Sequence, residues 1–271
     1  MDKSTPNTTL DFVLSKVPEV TLAFWIIKIL ATTLGETAGD TVTMSWLGET
    51  TSDANPNGYL IGAALFLTVL LALAVIQIMA KRFHPFLYWA TIIASTTFGT
   101  AMADFATRSL GIGYTGGSLL LFALVMGSLA AWYWSEGTIS VDTVSTPKVE
   151  AFYWTTITFS QTLGTALGDW VADTGGLGYD GGAIVFGLTL AVLAALYRWT
   201  SMSHVLLFWA AFILTRPLGA TVGDFLDKPL ANGGLALSRP LASLAIAVII
   251  ALCLAILPQR AGQHPSAGQS A

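Results

Sequence analysis

The sequence predicts an all-α fold, a polytopic membrane bundle of about eight transmembrane helices built from four parallel two-helix repeats. Three observations predict it. Of the 271 residues, 54% are hydrophobic and 10% are charged, whereas a soluble domain carries about a quarter charged residues. Eight stretches approach the roughly 20 apolar residues needed to span a hydrocarbon core; they lie at about 18–45, 59–80, 84–108, 117–134, 149–173, 182–199, 203–227 and 237–257. Lastly, an aromatic-Trp pair precedes an aspartate by one fixed interval four times over.

In chain order, residues 1–17 form a polar N-terminal segment with Asp2, Thr5, Pro6, Asn7 and Asp11. It lacks the basic-then-apolar run and small-residue cleavage site of a removable signal peptide. A single membrane domain follows over 18–257, with repeats at about 18–80, 84–134, 149–199 and 203–257. The tail 258–271, with Pro258, Gln259, Arg260, Gly262 and Pro265, is polar and rich in Gly and Pro, and is expected to be disordered. Cys253 is the single cysteine, so a disulfide or cysteine metal cluster within one chain is excluded.

The repeat is read from its register. The pairs Phe24-Trp25, Tyr88-Trp89, Tyr153-Trp154 and Phe208-Trp209 stand ahead of Asp40, Asp104, Asp169 and Asp224, always 15 residues from Trp to Asp. Five residues before each Asp is a glycine (Gly35, Gly99, Gly164, Gly219), and the residue just before it is Gly39, Ala103, Gly168 or Gly223. Successive Trp residues are 64, 65 and 55 apart, so each unit is two spans and all units enter the membrane in one orientation. His84 and His204 both lie five residues before their Trp, where the other units have Val20 and Val149, which pairs unit one with three and two with four. The arrangement predicted is pseudo-symmetric, twofold or fourfold, about the membrane normal.

On these four Trp-x14-Asp units the chain resembles the bacterial membrane proteins of four tandem two-span repeats known as the domain of unknown function 347 repeat. The resemblance covers residues 17–257 and implies architecture; it brings no activity with it.

The second helix of each unit is almost wholly apolar and suits lipid, as in 60–80 and 119–133. The first carries a polar stripe, because positions seven and four before each Asp fall within about 40° of it on a helix. These are Thr33 and Glu36, Thr97 and Thr100, then Thr162 and Thr165; unit four breaks the pattern with Pro217 and Ala220 beside Arg216. The first helices should therefore be inside, with their stripes facing one another. The small residues one and five before the Asp read as close-packing points between helices, or as a helix break that exposes carbonyls to an ion. The Trp residues, about 22 Å from their aspartates at 1.5 Å per residue, read as an interfacial belt or as packing anchors.

An ionisable group inside a bilayer costs at least ~2.5–3.5 kcal/mol at the helix centre and is functional by default. Asp40, Asp104, Asp169, Asp224 and Glu36 are opposed within the spans by Lys28 and Arg216, which leaves about three negative charges over. Either the aspartates hydrogen-bond outer loops, or they hold protons or a cation. Four carboxylates at the negative ends of helix dipoles favour the second reading. Asp173, Asp180 and Asp227 lie near loops and read as solvated. In unit one the run 34–41 is similar to the acidic Glu-x-Gly-Asp stretches of certain small manganese and calcium exchangers, with one inserted residue and without the following base.

The function expected is transport of a small cation, a divalent metal such as manganese, coupled to protons through these carboxylates. Asp40, Asp104, Asp169, Asp224 and Glu36 are the expected metal or proton ligands. Thr33, Thr97 and Thr162 would add hydroxyl oxygens, and Arg216 would balance charge. His84 and His204 are candidate cytoplasmic gates. A pseudo-fourfold channel or passive pore, and a non-transporting membrane scaffold, are the alternatives. No P-loop, dinucleotide fingerprint, nucleophile elbow, HExxH or CxxC supports an enzyme, and no cofactor is expected. The net charge of −4 gives no basis for a nucleic-acid partner; the expected partners are the lipid bilayer and the cation or proton. Lys3, Lys16, Lys81, Arg82, Lys148, Arg198 and Arg260 fall on one side, against Arg108, Lys228 and Arg239 on the other. That bias places both termini in the cytoplasm, with the protein in the bacterial inner membrane.

Overall fold

The computed structural model describes residues 12–48 and 57–265. A strand, β1 (Phe12–Pro18), leads into eight helices: α1 (Leu22–Asp40), α2 (Gly58–Met79), α3 (Pro85–Asp104), α4 (Gly113–Glu136), α5 (Pro147–Asp169), α6 (Gly178–Trp199), α7 (His204–Asp227) and α8 (Arg239–Ile256). A second strand, β2 (Ala261–Pro265), follows. Local chemistry sets the helix starts. Thr21, Thr146 and Ser203 accept backbone N–H bonds as N-caps of α1, α5 and α7, and Pro85 and Pro147 open α3 and α5, where no donor is needed. Gly137, in the left-handed region at φ 71°, ends α4.

Six of the eight helices are long and apolar enough to cross a membrane; α3 and α5 are the two that are not. These two are as long as the others, 20 and 23 residues, but rich in Thr and Ser. They tolerate that polarity because protein surrounds them. The first helices of the units form an inner ring, α1 against α3, α3 against α5, α5 against α7 and α7 back against α1. Each second helix packs on the first helix of the next unit: α2 on α3, α4 on α5, α6 on α7, and α8 closes the circle on α1. The outer helices turn large apolar side chains such as Leu65, Leu119, Leu188 and Leu244 outward.

The repeated glycines account for the ring. A Cβ on Gly35 would overlap Thr96, on Gly99 the backbone of Gln161 and Thr162, on Gly164 the stem of Arg216, and on Gly219 Thr32. Thus the glycine at position −5 from the aspartate of each unit receives the residue at position −8 of the next, in cyclic order. The helices run straight through these glycines, so close packing is their role and no break occurs there. The backbone widens one residue after the aspartate instead, in π-helical turns at Thr41–Trp46, Phe105–Ser109 and Trp170–Thr174; α7 stays α-helical and carries Pro217 within it.

Down the axis the inner helices stack in fourfold layers. Position −8 holds Thr32, Thr96, Gln161 and Arg216; position −12 holds Lys28, Ile92, Ile157 and Phe212, and all eight are fully buried. Position −16 holds Phe24, Tyr88, Tyr153 and Phe208, in which the Tyr88 and Tyr153 hydroxyls share a hydrogen bond and the rings of Phe24 and Phe208 lie 6.2 Å apart. Trp89, Trp154 and Trp209 are buried beside them, and Trp25 is half-buried. These tryptophans are packing anchors of an aromatic plug, not an interfacial belt.

The strands cover the Trp end. β1 and β2 pair antiparallel, from Phe12 opposite Pro265 to Pro18 opposite Ala261. This corrects the expectation of a disordered tail for 258–265: the bundle brings β1 and β2 to one side, where their backbone groups satisfy each other. Residues 1–11 of the polar segment and 266–271 of the tail lie outside the described residues. Lys16 bonds Glu150 at 2.6 Å and the carbonyls of Gln77 and Ile78, so it joins this cap to α2 and α5. The indole N–H of Trp89 donates to Gln259, and that of Trp209 to the carbonyl of Ile139.

Candidate cation site

The stripe aspartates end α1, α3 and α5 and stand three residues before the end of α7, and all four are at most 2% exposed. Two cations tie them in pairs. The Lys228 ammonium lies 2.7 Å from Asp40 Oδ2 and 2.8 Å from Asp224 Oδ1. Arg108 places Nε 3.0 Å from Asp104 Oδ1 and Nη2 3.1 Å from Asp169 Oδ2. Each cation comes from an even-numbered unit and bridges its own aspartate to that of the next unit, which is pseudo-twofold order within the fourfold ring. Glu36, Asp40 and Asp224 each offer an oxygen, all three within 4.8 Å of one another.

One turn further inside, Arg216 crosses the axis. Its Nη2 donates to Glu36 Oε2 at 2.8 Å, to Thr100 Oγ1 at 2.6 Å and to Thr165 Oγ1, and Nη1 reaches the Thr32 carbonyl at 3.3 Å. These three side chains are the position −4 residues of the other units. Unit four has Ala220 there, which leaves room for the guanidinium of the preceding turn. Below it stands Lys28, 3.5 Å from Gln161 Oε1 and 4.1 Å from the centre of the Phe212 ring.

The structure therefore brings Asp40, Asp104, Asp169, Asp224, Glu36 and Arg216 into one buried cluster. Thr33, Thr97 and Thr162 do not turn to it: their hydroxyls donate to the carbonyls of Ile29, Ile93 and Thr158 one turn back on their own helices. Thr100 and Thr165 are the hydroxyls that meet at the axis. His84 and His204 are exposed at the Trp end, His204 against the ring of Tyr197, and neither enters the cluster. Asp227 is buried, 3.3 Å from Arg239, and not solvated as a loop residue would be; Asp173 and Asp180 are exposed.

Sequence reasoning missed Arg108 and Lys228, which it counted among outer loop charges. A signal was present, since each stands four residues after a stripe aspartate, one turn on along the same face. Their inclusion changes the charge balance. Five carboxylates meet three cations, Arg108, Arg216 and Lys228, so two negative charges remain when all are ionised; Lys28, counted against them in the sequence, lies a layer deeper against Gln161 and Phe212 and forms no salt bridge with any of the five. Asp40 Oδ1 and Asp104 Oδ2 are buried without a hydrogen-bond partner. Oxygen donors of this kind suit protons and hard or borderline cations.

The family described as Repeat of Unknown Function (DUF347) matches the chain at residues 23–83, 87–138, 152–203 and 207–259. No curated protein and no solved structure matches it.

Proposed function

The chain belongs to the family of the Repeat of Unknown Function (DUF347), and from its acidic site we propose that it moves a small cation, a divalent metal ion, across the membrane in exchange for protons. The observation that carries this reading is the convergence of five carboxylates against three cations in a buried place. Buried charge is neutralised by a partner, a proton or a bound ion, because the cost of leaving it bare is several kcal/mol per charge. Each carboxylate has a cation beside it, but two cations are shared, so the cluster keeps an excess of two negative charges that a dication or protons would offset. Exchange between those two loads is proton-coupled transport.

Arg216 on the axis and the aromatic layers beneath it argue against an open fourfold pore. The bridges of Lys228 and Arg108 favour the scaffold alternative to the extent that they tie the ring together, yet a purely structural network gains nothing from excess negative charge. The basic bias of the Trp end orients that end to the cytoplasm, with both termini inside and the protein in the bacterial inner membrane.

The test is flux in proteoliposomes of the purified chain. Under an imposed pH gradient, Mn2+ uptake should saturate, and Asp40→Asn, Asp104→Asn, Asp169→Asn and Asp224→Asn should each abolish it. Undiminished uptake in all four variants removes the carboxylate mechanism, and uptake independent of the gradient replaces the exchanger with a channel.

A further inference from the structure

Position +4 from the stripe aspartate carries a charge in three units, Arg108, Asp173 and Lys228, and a thioether in the first, Met44. Met44 lies in the π-helical turn after Asp40 and is 2% exposed. Its Sδ stands 3.8 Å from the Lys228 ammonium, the same ammonium that Asp40 and Asp224 hold at 2.7 and 2.8 Å. Two carboxylates and a sulfur thus surround one positive charge, with Glu36 offering a further oxygen within 4.8 Å of the other two. Asp40 Oδ1, fully buried, has acceptor capacity that nothing in the protein uses. The ammonium marks where a cation is welcome, and the sulfur says which kind.

Building on the transport reading above, we propose that the seat now held by Lys228 is the metal seat, and that Met44 makes it select divalent transition-metal ions over Mg2+ and Ca2+. Hard ions take oxygen ligands and gain little from a thioether, whereas softer ions bind sulfur and carboxylate together. Lys228 can leave the seat. It lies one residue past the end of α7 in extended backbone, on the outer side, and its stem is long enough to withdraw. A dication in place of the ammonium lowers the excess of the cluster from two negative charges to one, which a single proton balances, so the exchange is electrostatically favourable.

The experiment uses the full chain in lipid nanodiscs with Cd2+ as the probe, in a Cys253→Ser background that removes the single thiol. X-ray absorption at the cadmium edge should show a sulfur neighbour in this background and none in Met44→Leu, a swap of similar volume. Competition should move with it: Ca2+ should displace Cd2+ roughly tenfold more readily from Met44→Leu, the effect of about 1.4 kcal/mol of lost preference. Asp40→Asn should lose Cd2+ altogether. No Cd2+ binding, an oxygen-only spectrum in the parent, or an unchanged preference in Met44→Leu each overturns the proposal. A sulfur signal without flux in proteoliposomes keeps the seat and removes transport, while flux with unaltered selectivity in Met44→Leu keeps transport and removes the seat.

Discussion

Arg216 fixes three neighbouring helices while it neutralises Glu36, because one planar guanidinium presents donors in several directions. Removing one partner of such a pair strands the other. Arg216→Met should therefore destabilise by about 3–5 kcal/mol, while Arg216→Met with Glu36→Gln should recover most of that, since breaking a buried pair costs far more than replacing it. Thermal unfolding in detergent reads both, and a double variant no more stable than the single would show the two groups are not coupled. Lys28 is the contrasting residue. It is the polar member of an otherwise apolar layer and bonds a glutamine, with no carboxylate within salt-bridge distance among the described residues. Lys28→Met keeps the length and removes the charge, and should raise stability by about 1–3 kcal/mol; a fall in the melting temperature would mean that the ammonium has a partner which matters. The sequence displayed the stripe aspartates because they recur, and Glu36 because it shares their face. It concealed Lys228 and Arg108, since a residue at a helix end belongs to loop or core according to how the last turn winds: Arg108 is set by a π-helical turn, and Lys228 by the α-helical end of α7.

The inner helices differ from the outer ones in what their glycines do. Gly99 faces the backbone of α5, where a Cβ would come within 2.8 Å of the Gln161 carbonyl carbon and 2.9 Å of the Thr162 nitrogen, and backbone cannot step aside. Gly127, on α4, has open space around it. Gly99→Ala should thus cost about 1–3 kcal/mol as overpacking, and Gly127→Ala should gain up to about 1 kcal/mol of helix propensity. The difference in melting temperature between these two alanines measures the inner ring directly; equal effects would place α3 and α5 further apart than described. The same contrast explains which elements were legible. Helix pairs repeat, so four weak signals in one register became one strong one, and the polar stripes told inner from outer. The strands were not legible, because β1 and β2 are short segments of seven and five residues more than 240 residues apart, and β2 carries no strand pattern of its own. They pair because the ring closes and sets both segments over the aromatic plug.

Ring closure makes every unit boundary alike: each outer helix rests on the next inner helix, and α8 on α1 completes the set. No boundary is the natural beginning. With β1 and β2 paired, Phe12 and Pro265 lie side by side, and neighbouring ends are the condition under which circular permutation is tolerated. Joining the ends and reopening the chain at 200–203, between α6 and α7, should preserve the ring, because that link is exposed. Reopening at 138–146, between α4 and α5, has a different outcome. There Ile139 accepts the Trp209 indole, Val144 accepts the Lys16 backbone N–H, and Val141 accepts the Ser15 hydroxyl, so the link is part of the cap over the plug. The first permutant should elute as one species and melt within a few degrees of the parent, and the second should melt distinctly lower. If both fall equally, the units are not interchangeable around the axis, and the cyclic order of glycine contacts is a consequence of chain continuity and not its equal.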